Sequence, residues 1–538
     1  MIEESFSNSQ DGKCSSSNKG MVVTAFPDAT QAGTDMFSLG GNAVDAACAA
    51  ALALGVCEPQ GSGIGGQSVA ILHLNGRTVT IDGSTKAPSL AHTSSFKNET
   101  ERKRGYKATT IPSTLAVLGY LNEKYGKLSW KTIVQPALNI ASSGFRITKL
   151  QSFLLKRELE NFLQVQTQSG AKYFLKKGKI PFEPGELFIQ PDLAATLSEI
   201  AIHGYQSMYT GEIASMIDAD MRKHGGLLRK EDLAMIPEVI EREPILGTYR
   251  GHTIKSLPPP GSGETLLLIL AMMEVLPPEV FHKDSPEKYK WRAEILHKAF
   301  VFYRQNPRNP NTFHQIDEFE KKLREHASRL ISSIQAGERL LGKSIGAEQG
   351  KGETTHLSVM DREGNSVGLT QSLNLVYGAK VSTEGLGFLY NNYIEAFQYG
   401  KPGHYYNLRP GGIPWPCATP TIVFKNDMPW LVLGSPGSQR IFSSMAQFLS
   451  LIIDQKMSID KAIVHPRIHA EHNGELSLEI DRFEPSVIES LEKKGYRIKA
   501  REPYSFYMGG IHAAMKCQSV NGFQGAADIR RDGTAMGN

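Results

Sequence analysis

Three short segments of the sequence combine residue types that could bind a ligand or do chemistry. The first, residues 61–66, reads Gly-Ser-Gly-Ile-Gly-Gly and satisfies the G-x-G-x-x-G spacing of a dinucleotide-binding loop. In that fold the loop follows a strand and opens a helix, whose N-terminus meets the phosphates. Here a helix is predicted before the loop and a strand after it. Because the order is reversed, the pattern favours a tight turn where backbones approach closely.

The second segment contains His465, His469 and His472, whose spacing is similar to that of a zinc site. On a helix, residues four and seven apart would share a face. However, Pro466 directly follows His465 and disfavours helical backbone there. No acidic partner pattern such as H-E-x-x-H accompanies the histidines. Histidines on a polar loop are therefore favoured over a metal site.

The third segment is Gly352-Glu353-Thr354-Thr355-His356. A threonine pair that opens a strand is usually structural, because threonine has a high β propensity and its hydroxyl satisfies nearby backbone groups. The pair gains a catalytic interpretation only from its context.

Two blocks of predicted structure surround these segments. Residues 124–343 are predicted to be mostly helical, and residues 342–353 to form an exposed polar loop. Helices and hairpins in both blocks favour a layered α/β fold over a series of βαβ units. The first block has strands over residues 21–25, 68–74 and 77–82, the last two joined by Asn75-Gly76, and helices over 30–39 and 42–54. The second block has strands over 354–360, 365–373, 421–425, 430–434, 476–480 and 510–515, and helices over 443–454 and 485–494.

Composition and charge limit the class of protein. The 538 residues are 40% hydrophobic and 21% charged, which is typical of a globular chain. The net charge of +4 is small for this length, so no nucleic-acid partner is expected. Five scattered cysteines do not form a disulfide framework and indicate a reducing compartment.

The N-terminus and the apolar stretches give an expectation for location. Residues 1–19 are polar, are expected to be disordered, and lack the apolar run of a signal peptide. The most apolar stretches fall short of the roughly 20 residues that span a bilayer. A cytoplasmic protein with no membrane partner is therefore expected.

Many segments match one family in collinear order, from about residue 20 to the C-terminus. They are Gly40-Gly41-Asn42-Ala43-Val44-Asp45-Ala46, Glu58-Pro59-Gln60-Gly61, Gln135-Pro136-Ala137, Gly225-Gly226-Leu227, Lys230-Glu231-Asp232-Leu233, Tyr249-Arg250-Gly251, Pro258-Pro259-Pro260-Gly261-Ser262-Gly263, Thr354-Thr355-His356-Leu357-Ser358-Val359, Gly387-Phe388-Leu389-Tyr390-Asn391-Asn392, Gly434-Ser435-Pro436-Gly437 and Pro466-Arg467-Ile468-His469. Together they resemble the gamma-glutamyltransferase (glutathione hydrolase) family of N-terminal-nucleophile hydrolases.

The resemblance implies a four-layer αββα sandwich and a chain that cuts itself between Glu353 and Thr354. The large subunit would be residues 20–353 and the small subunit residues 354–538, staying associated as one composite body. Cleavage frees an α-amine on Thr354 that can take the proton of its own hydroxyl, so nucleophile and base reside in one residue. The implied substrate is a small-molecule amide. No cofactor or metal is implied, because the nucleophile carries its own base.

The resemblance also assigns residues that assist the nucleophile. Backbone N–H groups of Gly437 and Ser438 would stabilise the tetrahedral intermediate. The family has two glycines there, and Ser438 is expected to fit if its backbone does not require a positive φ. Ser372 matches a family threonine beside the nucleophile, and Asn374 matches an asparagine of the donor site. Ordinary polar residues on a strand are the alternative for the last two.

The family's subsite for the γ-glutamyl head group is altered in this sequence. Ser84 stands where the family has the arginine that binds the α-carboxylate, and Pro416-Cys417 replaces two serines that assist it. The segment Tyr393-Ile394-Glu395-Ala396 places Ala396 where an aspartate holds the ammonium, with Glu395 beside it expected to point elsewhere. Tyr393, Ala396 and Cys417 suggest a less polar acyl pocket.

These substitutions leave three hypotheses open. The first is a self-processed amide hydrolase that acts on a non-glutamyl acyl group, because a site that lacks its polar partners discriminates against the charged group they served. The second is a true glutathione hydrolase or gamma-glutamyltransferase in which Lys86 and Glu395 substitute for the lost groups. The third is a non-catalytic binding protein or an unprocessed relic.

Overall fold

The computed structural model describes residues 12–311, 318–337, 352–401, 403–415, 417–471, 473–517 and 522–538. Within this part of the chain the strands are β1 (Cys14–Ser17), β2 (Gly20–Thr24), β3 (Gln67–Leu74), β4 (Arg77–Gly83), β5 (Phe145–Arg146), β6 (Leu187–Phe188), β7 (Ile240–Arg242), β8 (Ile245–Tyr249), β9 (His252–Ser256), β10 (Gly352–Asp361), β11 (Ser366–Leu375), β12 (Thr421–Lys425), β13 (Met428–Gly434), β14 (Ile468–Ala470), β15 (Glu475–Glu479), β16 (Arg497–Arg501), β17 (His512–Cys517), β18 (Gly522–Ala527) and β19 (Thr534–Gly537).

The helices of the same part of the chain flank these strands. They are α1 (Pro27–Ser38), α2 (Ala43–Cys57), α3 (Glu99–Lys103), α4 (Thr114–Tyr125), α5 (Trp130–Ser143), α6 (Lys149–Leu163), α7 (Ser169–Phe174), α8 (Pro191–His203), α9 (Ser207–Thr210), α10 (Glu212–Lys223), α11 (Lys230–Ala234), α12 (Gly263–Val275), α13 (Pro286–Gln305), α14 (Phe319–Gln335), α15 (Arg440–Ile453), α16 (Ile459–Val464) and α17 (Pro485–Lys493).

Two antiparallel seven-stranded sheets form the centre of the molecule. One has the order β1-β18-β17-β13-β12-β9-β8 and the other the order β19-β2-β10-β11-β3-β4-β7. The sheets face each other across a shared apolar layer that includes Val23, Ile422 and Val432. Helices from the first half of the chain cover the outer face of the second sheet, and α12 to α17 cover the first. The predicted four-layer αββα architecture is confirmed.

Both sheets combine strands from before and after Thr354. The central strand β10 pairs with β2 on one side and β11 on the other, and β11 pairs with β3. The first sheet likewise joins β8, β9 and β1 to strands from the second half of the chain. Two separate domains divided at residue 354 could not form these pairings.

Most predicted elements lie where the sequence placed them. The hairpin of β3 and β4 turns at Asn75 and Gly76, whose φ angles of 50° and 81° suit a two-residue turn that continues the strand twist. The loop over residues 61–66 lies between α2 and β3, as predicted. A Cβ on Gly65 would lie 2.2 Å from the carbonyl oxygen of Leu389, so the loop is a site of close backbone approach.

Three details of local structure differ from the predictions. The segment expected to be disordered through residue 19 contains β1, which pairs with β18, so its backbone is hydrogen-bonded. The predominantly helical region contributes β7 to one sheet and β8 and β9 to the other. The exposed loop expected before Thr354 ends sooner, because Gly352 and Glu353 are buried in β10; residues 338–351 lie outside the described residues.

The start of α2 shows how the sheet is held against its helices. Asn42 caps the helix, and the fully buried Asp45 carboxylate accepts hydrogen bonds from the N–H groups of Asn42, Lys127 and Leu128 at 2.9 to 3.1 Å. Its alanine-rich sequence lets α2 lie close to the sheet, where Gln371 of β11 donates to the Ala51 carbonyl at 2.8 Å.

We expect Asp45→Ala to lower the free energy of unfolding by about 2 kcal/mol, because it removes a buried capping carboxylate and leaves the N–H groups of Asn42, Lys127 and Leu128 without their acceptor. The matched control is Asp35→Ala on the exposed face of α1, with an expected change within about 0.5 kcal/mol. Denaturant unfolding of both variants in a Thr354→Ala background measures the difference. Equal effects of the two substitutions would contradict the role given to Asp45.

Candidate active site

An irregularity between β10 and β11 brings Thr354 and Ser372 together. Glu353 is opposite Asn374, whereas Thr355 is opposite Gln371, so two residues of β11 face one residue of β10. Such a bulge re-aims side chains and is common beside active sites. Ser372 is one of the two residues of β11 that lie opposite Thr354, and its hydroxyl contacts Thr354 there.

The Ser372 hydroxyl links the predicted nucleophile to the peptide bond that precedes it. Thr354 Oγ1 donates to Ser372 Oγ at 3.2 Å, and Ser372 Oγ donates to the carbonyl oxygen of Glu353 at 2.8 Å. The backbone N–H of Asn374 donates to Ser372 Oγ at 2.8 Å. One donor and two acceptor positions of the serine hydroxyl are thus all used. The carbonyl of Glu353 is polarised at the point where Thr354 would attack it.

The glycine loop over residues 61–66 packs against the backbone of β11 at Ser372. A Cβ on Gly66 would lie 2.5 Å from the Ser372 carbonyl oxygen, a distance that no side chain allows. Gly61 contributes its carbonyl oxygen, which accepts a hydrogen bond from Leu373 N at 3.2 Å. The motif that resembles a nucleotide loop therefore holds the bulge.

Glu353 is anchored by a buried ion pair. Its carboxylate lies 3.3 Å from Nε of Arg531, and both side chains are 2% exposed. Burial raises the pKa of Glu353, and the guanidinium groups of Arg531, Arg157 and Arg440 act in the opposite direction. The Glu353 side chain is therefore held by Arg531 near the C-terminus, while Arg157 of α6 and Arg440 of α15 act on its charge from further away.

Thr354 opens onto a cavity of about 1180 Å³. A cavity of this size accommodates a small-molecule substrate. Most residues predicted for the site line it together: Thr354, Ser372, Asn374, Tyr393, Glu395, Ala396, Cys417 and Ser438.

The position of Glu395 differs from the prediction. Its carboxylate accepts a hydrogen bond from Asn374 Nδ2 at 3.2 Å and lines the cavity instead of pointing elsewhere. The same amide contacts Asn392, whose carbonyl oxygen lies 3.2 Å from Asn374 Nδ2. A short 3₁₀ turn, Tyr393–Ala396, brings Glu395 back towards β11. An acidic group is therefore kept in the donor region.

The remaining donor-site positions are neutral. Burial raises the pKa of the Cys417 thiol, with Arg304, the Ser438 hydroxyl and Arg440 acting against it. Burial also raises the pKa of Tyr393, and hydrogen bonding to Ser372 opposes the shift. Both groups are thus neutral at neutral pH. Pro416 lies outside the described residues.

Ser84 does not reach the cavity. It lines a much smaller space with Asp82 and Arg242, whose ion pair of 2.9 Å lies there. Val69 and Ala418 belong to the walls of both spaces and separate them. Ser84 is therefore separated from the cavity at Thr354, and its assignment to the substrate site stays a prediction.

Lys86 also takes no part in the cavity wall. Its ammonium lies 3.6 Å from Glu238 in a surface ion pair. It does not supply the charge that the family's arginine provides.

The turn that was predicted to bind the oxyanion precedes α15. Gly437 has φ 116° and Ser438 has φ 54°, both in the left-handed region. The condition for Ser438 to replace glycine without strain is therefore not met. Ser438 lines the cavity, and a Cβ on Gly352 would lie 3.0 Å from Ser438 Cβ, so the turn abuts the start of β10. A Cβ on Gly437 would lie 3.2 Å from Gly509 Cα, so Gly437 packs closely.

The two described histidines of the candidate zinc segment, His465 and His469, have different partners. His465 contacts Asp284 at 3.0 Å, whereas His469 contacts Ser443 at 2.9 Å. His472 lies outside the described residues. Among the residues that the structure describes, no group of three or more metal-ligating side chains is found.

Several residues of the site were missed by sequence reasoning. Arg440 lies on the cavity wall, Arg531 binds Glu353, and Trp415 packs beside the acyl pocket. Arg440 follows the oxyanion turn by two residues and could have been found from that spacing. Arg531 and Trp415 carry no local sequence signal, because their roles depend on contacts between distant segments.

A gamma-glutamyltranspeptidase family model matches residues 29–538, and the chain belongs to this family. It is 31% identical over 550 aligned positions to the glutathione hydrolase proenzyme of Pseudomonas sp. (strain A14), covering 96% of this chain and 94% of that protein. It is 32% identical over 541 positions to the acylase ACY 1 proenzyme of Pseudomonas sp. (strain V22), covering 97% and 94%.

Solved structures agree with this assignment. The fold is similar to that of the cephalosporin acylase from Bacillus halodurans, with a TM-score of 0.87 and 27% identity, covering 100% of this chain and 99% of that one. The protein is therefore an amidohydrolase or acyltransferase of the N-terminal-nucleophile type. Within the described ranges, no helix is long and apolar enough to cross a membrane.

The backbone at Ser438 gives a stability prediction. A side chain in the left-handed region costs roughly 1–2 kcal/mol, which glycine does not incur. We expect Ser438→Gly to be more stable than Ser438→Ala by about 1 kcal/mol. The two variants both lack the hydroxyl, so denaturant unfolding isolates the backbone effect. Equal stability of the two would show that the turn is not strained.

Proposed function

We propose that this protein is a precursor that cleaves its own Glu353–Thr354 bond and then uses Thr354 to hydrolyse an amide whose acyl group is not γ-glutamyl. The observation that carries the proposal is the hydrogen-bond chain from Thr354 Oγ1 through Ser372 Oγ to the Glu353 carbonyl. This chain supports the proposal because it joins the proposed nucleophile, a donor to the oxyanion that would develop, and the carbonyl of the bond proposed for cleavage.

The processing step follows from that row. Thr354 Oγ1 bonds to the carbonyl carbon of Glu353, and the hydroxyl proton passes to the leaving nitrogen as the peptide bond breaks. The Ser372 hydroxyl stabilises charge on the carbonyl oxygen. Water then cleaves the resulting ester and leaves a carboxylate on Glu353. Because both sheets combine strands from the two fragments, the fragments remain one body.

The mature enzyme would repeat the same chemistry on a substrate. The freed α-amine of Thr354 takes the hydroxyl proton as the acyl–enzyme ester forms, and passes it to the departing amine. Water, or a second amine, then accepts the acyl group. The proenzyme names of the glutathione hydrolase and acylase relatives support processing in this chain.

The neutral side chains at two of the donor-site positions support a non-glutamyl acyl group. Ala396 and Cys417 cannot pair with an ammonium or a carboxylate, and leaving such a group unpaired in a buried site is costly. Ser84 and Lys86 do not reach the cavity to compensate. The names of the acylase relatives are in line with an altered donor.

One observation favours the second candidate, a true glutathione hydrolase or gamma-glutamyltransferase. Glu395 lies in the cavity wall, hydrogen-bonded to Asn374. In this candidate the Glu395 carboxylate would bind the ammonium of a γ-glutamyl group. It would thereby replace the family aspartate, whose position Ala396 occupies.

Self-processing is tested by intact mass. We expect wild-type protein to yield fragments that end at Glu353 and start at Thr354, and Thr354→Ala to stay whole. Ser372→Ala should slow cleavage by about 100-fold, since it removes the donor to the carbonyl oxygen. Ser372→Thr, which keeps a hydroxyl, is the control and should cleave at nearly the wild-type rate. A wild-type chain that stays whole after prolonged incubation would contradict the proposal.

The acyl preference is tested with anilides. We expect a γ-glutamyl anilide to be hydrolysed with a kcat/KM at least about 10-fold below that of anilides whose acyl groups lack the ammonium. Ala396→Asp should raise the γ-glutamyl rate selectively. If wild type instead prefers the γ-glutamyl anilide and Glu395→Gln abolishes that preference, the second candidate is correct.

A further inference from the structure

Arg440 is a buried cation in the cavity wall, and the proposed processing chemistry gives it no role. It is the first residue of α15, two residues after the Ser438 turn, and it lines the same cavity as Thr354. Its side chain is only 4% exposed. A guanidinium at such a position requires a compensating partner.

The hydrogen bonds of Arg440 leave most of its donors unused. Nε donates to the carbonyl oxygen of Tyr507 at 3.1 Å, and the guanidinium lies over the Tyr507 ring, 4.4 Å from its centroid. Among the described residues, this is its one side-chain hydrogen bond. The two terminal nitrogens, with four N–H donors, have no protein acceptor in the described ranges.

The carboxylates nearest to Arg440 have other partners. Glu471 accepts a hydrogen bond from the Tyr507 hydroxyl and lies 3.7 Å from His469. Glu353 pairs with Arg531. Neither makes an ion pair with Arg440, although both attract its charge from further away. An anion that enters the cavity would therefore meet an unpaired guanidinium.

The rest of the cavity wall is positive as well. Its acidic residues are Glu158, Glu395, Glu471, Glu475 and Glu502. Besides Arg440, its basic residues are Lys103, Arg104, Lys156, Arg157, Lys380, Lys499 and Arg501. Basic side chains thus outnumber acidic ones, and a cleft with one predominant sign of charge concentrates ligands of the opposite sign.

We propose that Arg440 forms an anion subsite, and that the substrate of the proposed amide hydrolase carries a carboxylate that Arg440 binds while the scissile carbonyl lies at Thr354. The inference rests on the proposed function only in that the bound carboxylate belongs to a substrate. The anion subsite itself would also exist in the uncleaved chain. Arginine is suited to this role because its planar fork binds both oxygens of a carboxylate, which a lysine ammonium does not.

The test uses binding, so that it does not depend on turnover. Two carboxylate amides are titrated calorimetrically into the Thr354→Ala precursor: hippurate, with its carboxylate on the amine half, and glutaranilate, with its carboxylate on the acyl half. Each is compared with its neutral primary amide. We expect at least one carboxylate to bind 10-fold or more tightly than its neutral counterpart.

Three variants test whether Arg440 is responsible for the preference for carboxylates over neutral amides. Arg440→Met should abolish it, and Arg440→Lys should restore it only in part. Lys172→Met is the matched control: it removes one positive charge from an exposed ion pair with Glu384 at 2.6 Å, outside the cavity wall, and should leave the preference unchanged. Far-ultraviolet circular dichroism and the unfolding temperature identify any variant that fails to fold, and Arg440→Gln then replaces Arg440→Met.

The outcomes separate this inference from the proposed function. Equal binding of charged and neutral amides, or a preference that persists without Arg440, would overturn the subsite and assign Arg440 to packing against Tyr507. Carboxylate binding that depends on Arg440 would support the subsite even if wild-type protein never cleaves itself. Self-cleavage without carboxylate preference would retain the proposed function and reject the subsite.

Discussion

The Ser372 hydroxyl is the contact on which the rest of the site depends. It joins Thr354 to the carbonyl of Glu353, and it lies at the point where β11 carries one residue more than β10. The bulge in turn needs Gly66, since any side chain there would collide with the backbone of Ser372. The glycine loop, the bulge and the Ser372 hydroxyl therefore depend on one another.

The interleaved sheets explain how the proposed cut, which lies near the start of β10, would leave the body of the molecule intact. The strand β10 is held by β2 on one side and by β11 on the other, and these neighbours come from both sides of the proposed cut. Arg531, near the C-terminus, holds the side chain of Glu353. Backbone pairing and a buried ion pair hold the Glu353–Thr354 bond in place, and the same contacts would keep the two proposed fragments together.

Local signals in the sequence were enough to predict much of this fold. The Asn75-Gly76 turn, the alanine-rich α2 and the strand at Thr354 follow from turn chemistry, periodicity and β propensity. The placement of Ser84 behind the cavity wall and the return of Glu395 towards the cavity could not be predicted. They depend on how separate segments pack, and a position within a motif does not fix where the side chain points.

The central claim is that Thr354 carries the acyl group during turnover, and covalent trapping tests it most directly. Processed protein is quenched with acid while it hydrolyses an acyl anilide, and the peptides are mapped by mass spectrometry. The account predicts the added acyl mass on the peptide that begins at Thr354, and its loss when that ester is hydrolysed. An acyl group found instead on Cys417, which lines the same cavity, or turnover with no adduct on Thr354, would contradict it.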